Sequence, residues 1–229
     1  MKFGVVTFPG SNCDEDMVFA LGTIMECPVE RLWHKEPDLK GVDVVVLPGG
    51  FSYGDYLRSG AIARFSPIMQ EVAAHAGKGG VVIGICNGFQ VLCEAGLVPG
   101  ALLHNEGQQF VCRNVHIRPA TRRTMLTRDV PDRALKIPIA HGEGRYHASA
   151  DTLKALMDND QVLFRYCDAE GRVTDAANPN GSKGNIAGVC NKQRNVFGMM
   201  PHPERAMDPR TGNTDGRSLF ASLLKEALA

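Results

Sequence analysis

Apolar positions along the chain alternate between short β-type runs and helical spacing. Residues 2–7 form a short apolar run that ends in Pro9-Gly10-Ser11-Asn12, a turn composition. Residues 14–25 then place Met17, Val18, Leu21 and Ile24 on one face of a helix. A second strand is predicted over residues 29–33. Residues 42–47 are β-branched and nearly all apolar, as a strand covered on both faces should be, and Pro48-Gly49-Gly50 ends the run. A helix over 67–76 follows, then an apolar strand over 80–85 that runs directly into a helix reaching Ala95. This alternation predicts an α/β fold with a mostly parallel sheet and helices on both faces. Beyond residue 100 the pattern is less regular. Strands are predicted over 110–118, 136–140, 161–166, 186–190 and 196–200, with a short helix over 151–157. A closing helix over 214–228 carries the stripe Leu219, Phe220, Leu223, Leu224 and Leu228. No repeat, low-complexity tract or linker interrupts the chain, so one domain over residues 1–229 is expected. The loops 176–184 and 208–215 are long and polar, and long loops in a compact domain are often functional.

Composition narrows the partners. Of 229 residues, 44 % are hydrophobic and 22 % charged, which is ordinary globular composition. Lys plus Arg equals Asp plus Glu at 25 each, so the chain lacks the basic footprint of a nucleic-acid binder. The seven cysteines are odd in number and irregularly spaced, with no CxxC pair. That argues against a disulfide framework and a structural zinc site, and for a reducing cytoplasm. No apolar run approaches the ~20 residues of a membrane span, and residues 1–7 read as a strand, not a leader. GxxxxGK[ST], GxGxxG and HExxH are all absent, so the chain offers no recognisable nucleotide loop of its own.

One cysteine stands apart. Cys86 lies where an apolar strand meets a helix, with Gly84 and Gly88 two residues to either side. Small neighbours permit a sharp strand-turn-helix elbow, and the helix N-terminus aims unpaired amides at the thiol. The plain alternative is an inert cysteine at the end of a core strand, the usual fate of the residue. A nucleophile needs a base and the base an orienter. His202 and Glu204, two apart between prolines at the end of an apolar strand, can point to one side of an extended chain. Against this stands a surface His–Glu pair of no special role. Pro48-Gly49-Gly50 reads equally as an oxyanion loop or a plain strand-ending turn.

Taken together, Gly84-Ile85-Cys86-Asn87-Gly88-Phe89-Gln90 matches the GxCxGxQ pattern of class I glutamine amidotransferases, His202-Pro203-Glu204 resembles their downstream His-x-Glu, and Pro48-Gly49-Gly50-Phe51 their oxyanion loop. Longer runs, among them residues 8–14, 49–55, 110–113, 139–144 and 199–206, resemble the glutaminase subunits of phosphoribosylformylglycinamidine synthase. The resemblance runs from residue 3 to the last helix, and only the stretch 104–109 is unmatched. It implies a three-layer amidotransferase fold in which Cys86, His202 and Glu204 form a catalytic triad. The N–H groups of Gly50 and Asn87 would hold the oxyanion, while Gln90, His141 and Gly142 would line the glutamine pocket, with no metal. It also implies that ammonia passes to a large synthetase subunit, with a small accessory subunit assisting, and that ATP and magnesium are held by the synthetase and no cofactor by this chain. No nucleic-acid or membrane partner is expected. The alternatives are a glutaminase serving another synthetase, a cysteine hydrolase of the same fold, and a non-catalytic partner-binding subunit.

Overall fold

Runs of β-branched apolar residues are stable only when water is kept from both faces, and the chain meets this with one nine-stranded sheet. The computed structural model describes residues 1–226. Five strands are parallel neighbours: β1 (Phe3–Thr7), β2 (Val29–Trp33), β3 (Val44–Leu47), β4 (Val81–Ile85) and β11 (Val196–Met199), in the order β2-β1-β3-β4-β11. Four more extend the sheet antiparallel beyond β11: β10 (Ile186–Cys190), β9 (Val162–Cys167), β6 (Val111–Pro119) and β7 (Leu135–His141). Every residue of β3 is buried. Because alternate side chains point to opposite faces, both faces of the sheet centre are covered, the three-layer α/β arrangement that the alternating pattern predicts.

The helices are α1 (Asp14–Phe19), α2 (Ile68–Gly77), α3 (Asn87–Glu94), α4 (Ala150–Asp158) and α5 (Arg217–Glu226). α3 packs on β3, β4 and β11, α2 on β4, and α1 on β1. A small ribbon pairs β5 (Ala101–Leu103) with β8 (Arg145–His147), strands of three residues and too short to show a period in sequence. Two boundaries differ from expectation. The helix that follows β1 is α-helical only to Phe19 and widens into a π-helical turn over Ala20–Ile24. The closing helix starts at Arg217, since Pro209–Thr211 forms a separate 3-10 turn ahead of it. Its expected continuation to Leu228 lies outside the described residues.

The topology sets the position of the chemistry. β4 is central, flanked by β3 and β11 in parallel register. The carboxyl ends of these strands deliver Leu47, Ile85 and Met199 to one edge, and the loops that follow them meet there. Crevices at the carboxyl ends of parallel strands are where α/β proteins bind ligands.

Candidate active site

The elbow between β4 and α3 is real and strained. Cys86 has φ 50° and ψ −106°, a left-handed backbone that costs roughly 1–3 kcal/mol for a residue with a side chain. It is held by its N–H, which donates to the Met199 carbonyl at 2.8 Å. The turn also needs α3 pressed against the sheet: a Cβ on Gly88 would lie 1.9 Å from the Leu47 carbonyl oxygen. Cys86 is 5 % exposed, and its Sγ lies 3.7 Å from the Ala140 carbonyl. Asn87 opens α3, so its N–H has no carbonyl one turn back to bond.

β11 ends opposite, and the chain carries His202 and Glu204 back to Cys86. The His202 N–H donates to the Pro138 carbonyl at 2.9 Å, tying the segment to β7. Pro203 begins a 3-10 turn over Pro203–Ala206. The pair is therefore not on an extended chain, as its spacing suggested; the tight turn brings the carboxylate round instead. Nδ1 of His202 and Oε1 of Glu204 are 2.6 Å apart, with both side chains fully buried. Burial by itself opposes charge on the imidazole, but the Glu204 carboxylate, with Cys86 and then Cys13 nearby, drives it well above its ordinary value. The ring's Nε2 is buried and makes no hydrogen bond. The Glu204 bond is the one that sets the tautomer, leaving Nε2 as the nitrogen without a hydrogen bond.

The third strand-end loop completes the cleft. Gly50 has φ +138°, and a Cβ there would meet the Asn12 nitrogen at 2.8 Å. A cavity of about 200 Å³ is lined by Cys13, Gly50, Phe51, Cys86, Phe110 and His202, among others. A larger hollow of about 480 Å³ lies elsewhere, against Ala76, Leu97, Leu156 and Val196, with no cysteine, histidine or carboxylate in its lining. Chemistry, not size, marks the site.

Residues 1–218 match the family described as the CobB/CobQ-like glutamine amidotransferase domain. Phosphoribosylformylglycinamidine synthase subunit PurQ of Gloeobacter violaceus is 57 % identical over 230 residues, covering 100 % of this chain and 99 % of that one. The chain belongs to the PurQ family of glutamine amidotransferases. The PurQ protein of Chlorobium luteolum is likewise 57 % identical, over 99 % of this chain and 98 % of that one. A solved structure of PurLQS from Thermotoga maritima superposes with a TM-score of 0.86 at 40 % identity, covering 99 % of this chain and 98 % of that chain. A glutamine amidotransferase of Thermotoga maritima at 14 % identity, with a TM-score of 0.56 over 100 % of this chain and 92 % of that one, shares the fold.

In this PurQ-family chain the expected pocket residues are placed as follows. Gln90 is 5 % exposed, and its polar atoms are both engaged: Nε2 donates to the Glu143 carbonyl at 2.6 Å and Oε1 accepts from Asn87 Nδ2 at 2.9 Å. It is neither a solvated helix position nor a free hydrogen-bonding arm; it clamps the residue after Gly142 onto α3. The Asn87 side chain accepts from the Ser52 N–H at 3.0 Å, linking α3 to the loop that follows β3. His141 is buried, its Nδ1 lies 3.0 Å from Asn105 Oδ1, and burial followed by the positive His202 lowers its pKa to about 4. Gly142 accepts from the Asn105 N–H at 2.8 Å and faces the Phe110 ring.

Four site residues escaped the sequence reading. Asn105, in the unmatched stretch 104–109, also bonds the His141 carbonyl and the Gly144 N–H, and so shapes the whole 141–144 loop. Asp55 and Glu143 flank Asn87 and Gln90. Cys13 receives the Arg205 guanidinium on its sulfur at 3.1 Å. Donor atoms of Cys13, His202 and Glu204 lie within 4.8 Å of one another, a sulfur, nitrogen and oxygen set of types that zinc accepts. The 2.6 Å His202–Glu204 bond already joins two of the three through a proton. Asn87 and Gln90, the partners of Asp55 and Glu143, carried a signal in sequence through their fixed distance from Cys86.

Proposed function

We propose that this chain hydrolyses glutamine through Cys86, His202 and Glu204 and supplies the ammonia to the synthetase of phosphoribosylformylglycinamidine synthase. The observation that carries this reading is a fully buried imidazole with one nitrogen on a carboxylate at 2.6 Å and the other free beside a strained elbow cysteine. His202 Nε2 takes the Cys86 proton as sulfur attacks the carboxamide carbon. The carbonyl electrons move to oxygen, where the N–H groups of Gly50 and Asn87 stabilise the charge. Collapse breaks the C–N bond, and the His202 proton leaves with ammonia. Water then attacks the glutamyl thioester, giving its proton to His202; the C–S bond breaks, and glutamate and the free thiol are restored.

The partner side follows from chemistry and from the relatives' names. The Gloeobacter violaceus relative is named as a subunit of phosphoribosylformylglycinamidine synthase, and the Thermotoga maritima structure as PurLQS. A large synthetase subunit and a small accessory subunit are the partners, and formylglycinamide ribonucleotide is the ammonia acceptor. ATP and magnesium belong to the synthetase, in keeping with a sequence that carries no GxxxxGK[ST] loop. The docking face is the rim of the cleft, where Phe51 and Phe110 stack at 6.5 Å, together with the exposed Tyr56, Leu57 and Phe65 of the segment that follows Phe51 in the chain. Apolar patches of this kind mark interaction surfaces. The cytoplasm is the compartment, a reading supported by the free cysteines. The deciding experiment compares wild type with Cys86→Ala, assayed for glutamate release with the partner synthetase present. Loss of at least about 10⁴-fold is expected; equal rates would sink the mechanism.

A further inference from the structure

Glu204 has two carboxylate oxygens, and His202 takes only one of them. Oε1 meets His202 Nδ1 at 2.6 Å, while Oε2 is buried and makes no hydrogen bond. A buried carboxylate oxygen without a donor is costly, so a guanidinium within reach is drawn to it. Arg205 is the next residue along the chain. It lines a hollow of about 330 Å³ together with Glu204, Asp16 and Phe19, so the guanidinium has room beside the carboxylate.

The guanidinium is nevertheless tied elsewhere. Its Nε donates to Asp16 Oδ2 at 2.9 Å and its Nη2 to Cys13 Sγ at 3.1 Å. The Asp16 side chain is 45 % exposed, so water screens that pair and its hold is modest. Cys13, at the head of α1, is buried, and its Sγ donates in turn to Asn12 Oδ1 at 3.2 Å. The thiol is wedged against the imidazole: a Cβ on Gly49 would meet His202 Cε1 at 2.6 Å and Cys13 Sγ at 3.1 Å. One sulfur thus touches Arg205 and stands beside both His202 and Glu204, whose donor atoms lie with it inside 4.8 Å.

We propose that Cys13 is a positioning residue: with Asp16 it holds the Arg205 guanidinium off Glu204 and so reserves the carboxylate for His202. This rests on the glutaminase reading above and adds the device that keeps its orienting carboxylate available. A guanidinium forks onto a carboxylate with two parallel hydrogen bonds, so Arg205 on Glu204 would neutralise the charge that favours the imidazolium. His202 is faced by Glu204 from its own turn, by Cys86 from the elbow, by Cys13 from the head of α1 with Arg205 behind it, and by His141 from β7. Burial opposes its charge, and Glu204 is the largest of the groups that sustain it. A neutralised Glu204 therefore lowers the pH at which His202 gives up its proton.

The test uses the full chain with its partner synthetase and reads kcat/KM for glutamate release across pH. Cys13→Ala should lower kcat/KM about tenfold or more, the scale of one redirected charged hydrogen bond. It should also move the alkaline limb of the profile to lower pH, because that limb reports His202 in the free enzyme. Cys13→Ser keeps an acceptor for Arg205 and should stay within about threefold of wild type. Asp16→Ala releases the other tether, should act in the same direction as Cys13→Ala, and serves if that variant misfolds. The deciding comparison is made in an Arg205→Gln background, where no guanidinium is left to move: there Cys13→Ala or Asp16→Ala should cost no more than about twofold. A loss undiminished in that background overturns the proposal and marks a structural role. An unmoved alkaline limb overturns it too, as does a rate within about threefold of wild type in both Cys13→Ala and Asp16→Ala. Wild-type glutamate release is read alongside: its presence with any of these results defeats only this proposal, whereas its absence defeats the glutaminase reading on which the proposal rests.

Discussion

Glu204→Gln preserves size and shape and removes one charge from a buried pair. Nδ1 of His202 and Oε1 of Glu204 are 2.6 Å apart, with side chains only 2 % and 0 % exposed, so solvent screens the pair little. Taking charge centres ~4 Å apart and an effective permittivity of ~20, the carboxylate stabilises the imidazolium by about 4 kcal/mol. The proposed mechanism forms that imidazolium when Cys86 loses its proton and again when water attacks the thioester. Losing most of the term should lower kcat by about 10²–10³-fold. KM for glutamine should stay within about threefold, since Glu204 touches the imidazole and not the substrate. Glutamate release with the partner synthetase, followed across pH, measures both constants. A kcat within about threefold of wild type would refute the argument, because it would mean the buried pair is already neutral. Stability supplies a second reading. The folded-state pKa of His202 is raised above its ordinary 6.5. Its contribution is therefore fully present below that value and lost as pH rises through the folded pKa. The gap in unfolding free energy between wild type and Glu204→Gln should be widest below the ordinary 6.5 and narrow as pH rises through the folded-state value.

Two further outcomes follow from geometry. Gly88→Ala places a carbon 1.9 Å from the Leu47 carbonyl oxygen and must push α3 off the sheet; about 2–3 kcal/mol of destabilisation is expected, or roughly 4–12 °C in Tm by calorimetry, and an unchanged Tm would contradict the packing. His141 has its pKa depressed to about 4, chiefly by burial, so its neutral form contributes stability above 6.5 that is lost as pH falls towards 4. His141→Asn should therefore lose less stability than wild type between pH 7 and pH 4, by up to ~3 kcal/mol in urea unfolding, and parallel losses would refute it.

The elements legible in sequence were those whose cause is local. Residues 42–47, apolar except for Asp43, and residues 80–85 became β3, buried throughout, and β4, buried from Val82 on. Gly84 and Gly88 around Cys86 announced a tight turn because only small residues allow that backbone. The π-helical widening at Ala20–Ile24 left no such trace, since the apolar spacing of Met17, Leu21 and Ile24 suits either helix. Asn105 was unreadable for another reason. Its partners at His141 and Gly144 are 36 and 39 residues away, and an asparagine in a polar loop has no periodicity to betray it.

By itself the sequence determined the alternation of strands and helices, the elbow at Cys86 and the nearness of Glu204 to His202, because each depends on neighbours along the chain. Only the tertiary structure decided which nitrogen of His202 meets Glu204, that Gln90 clamps the 141–144 loop, and that Asp55 accepts from the Asn87 side chain. Those relations arise where the ends of β3, β4, β7 and β11 converge. Burial and charge act there through space, at distances of a few ångströms that separation along the chain does not encode.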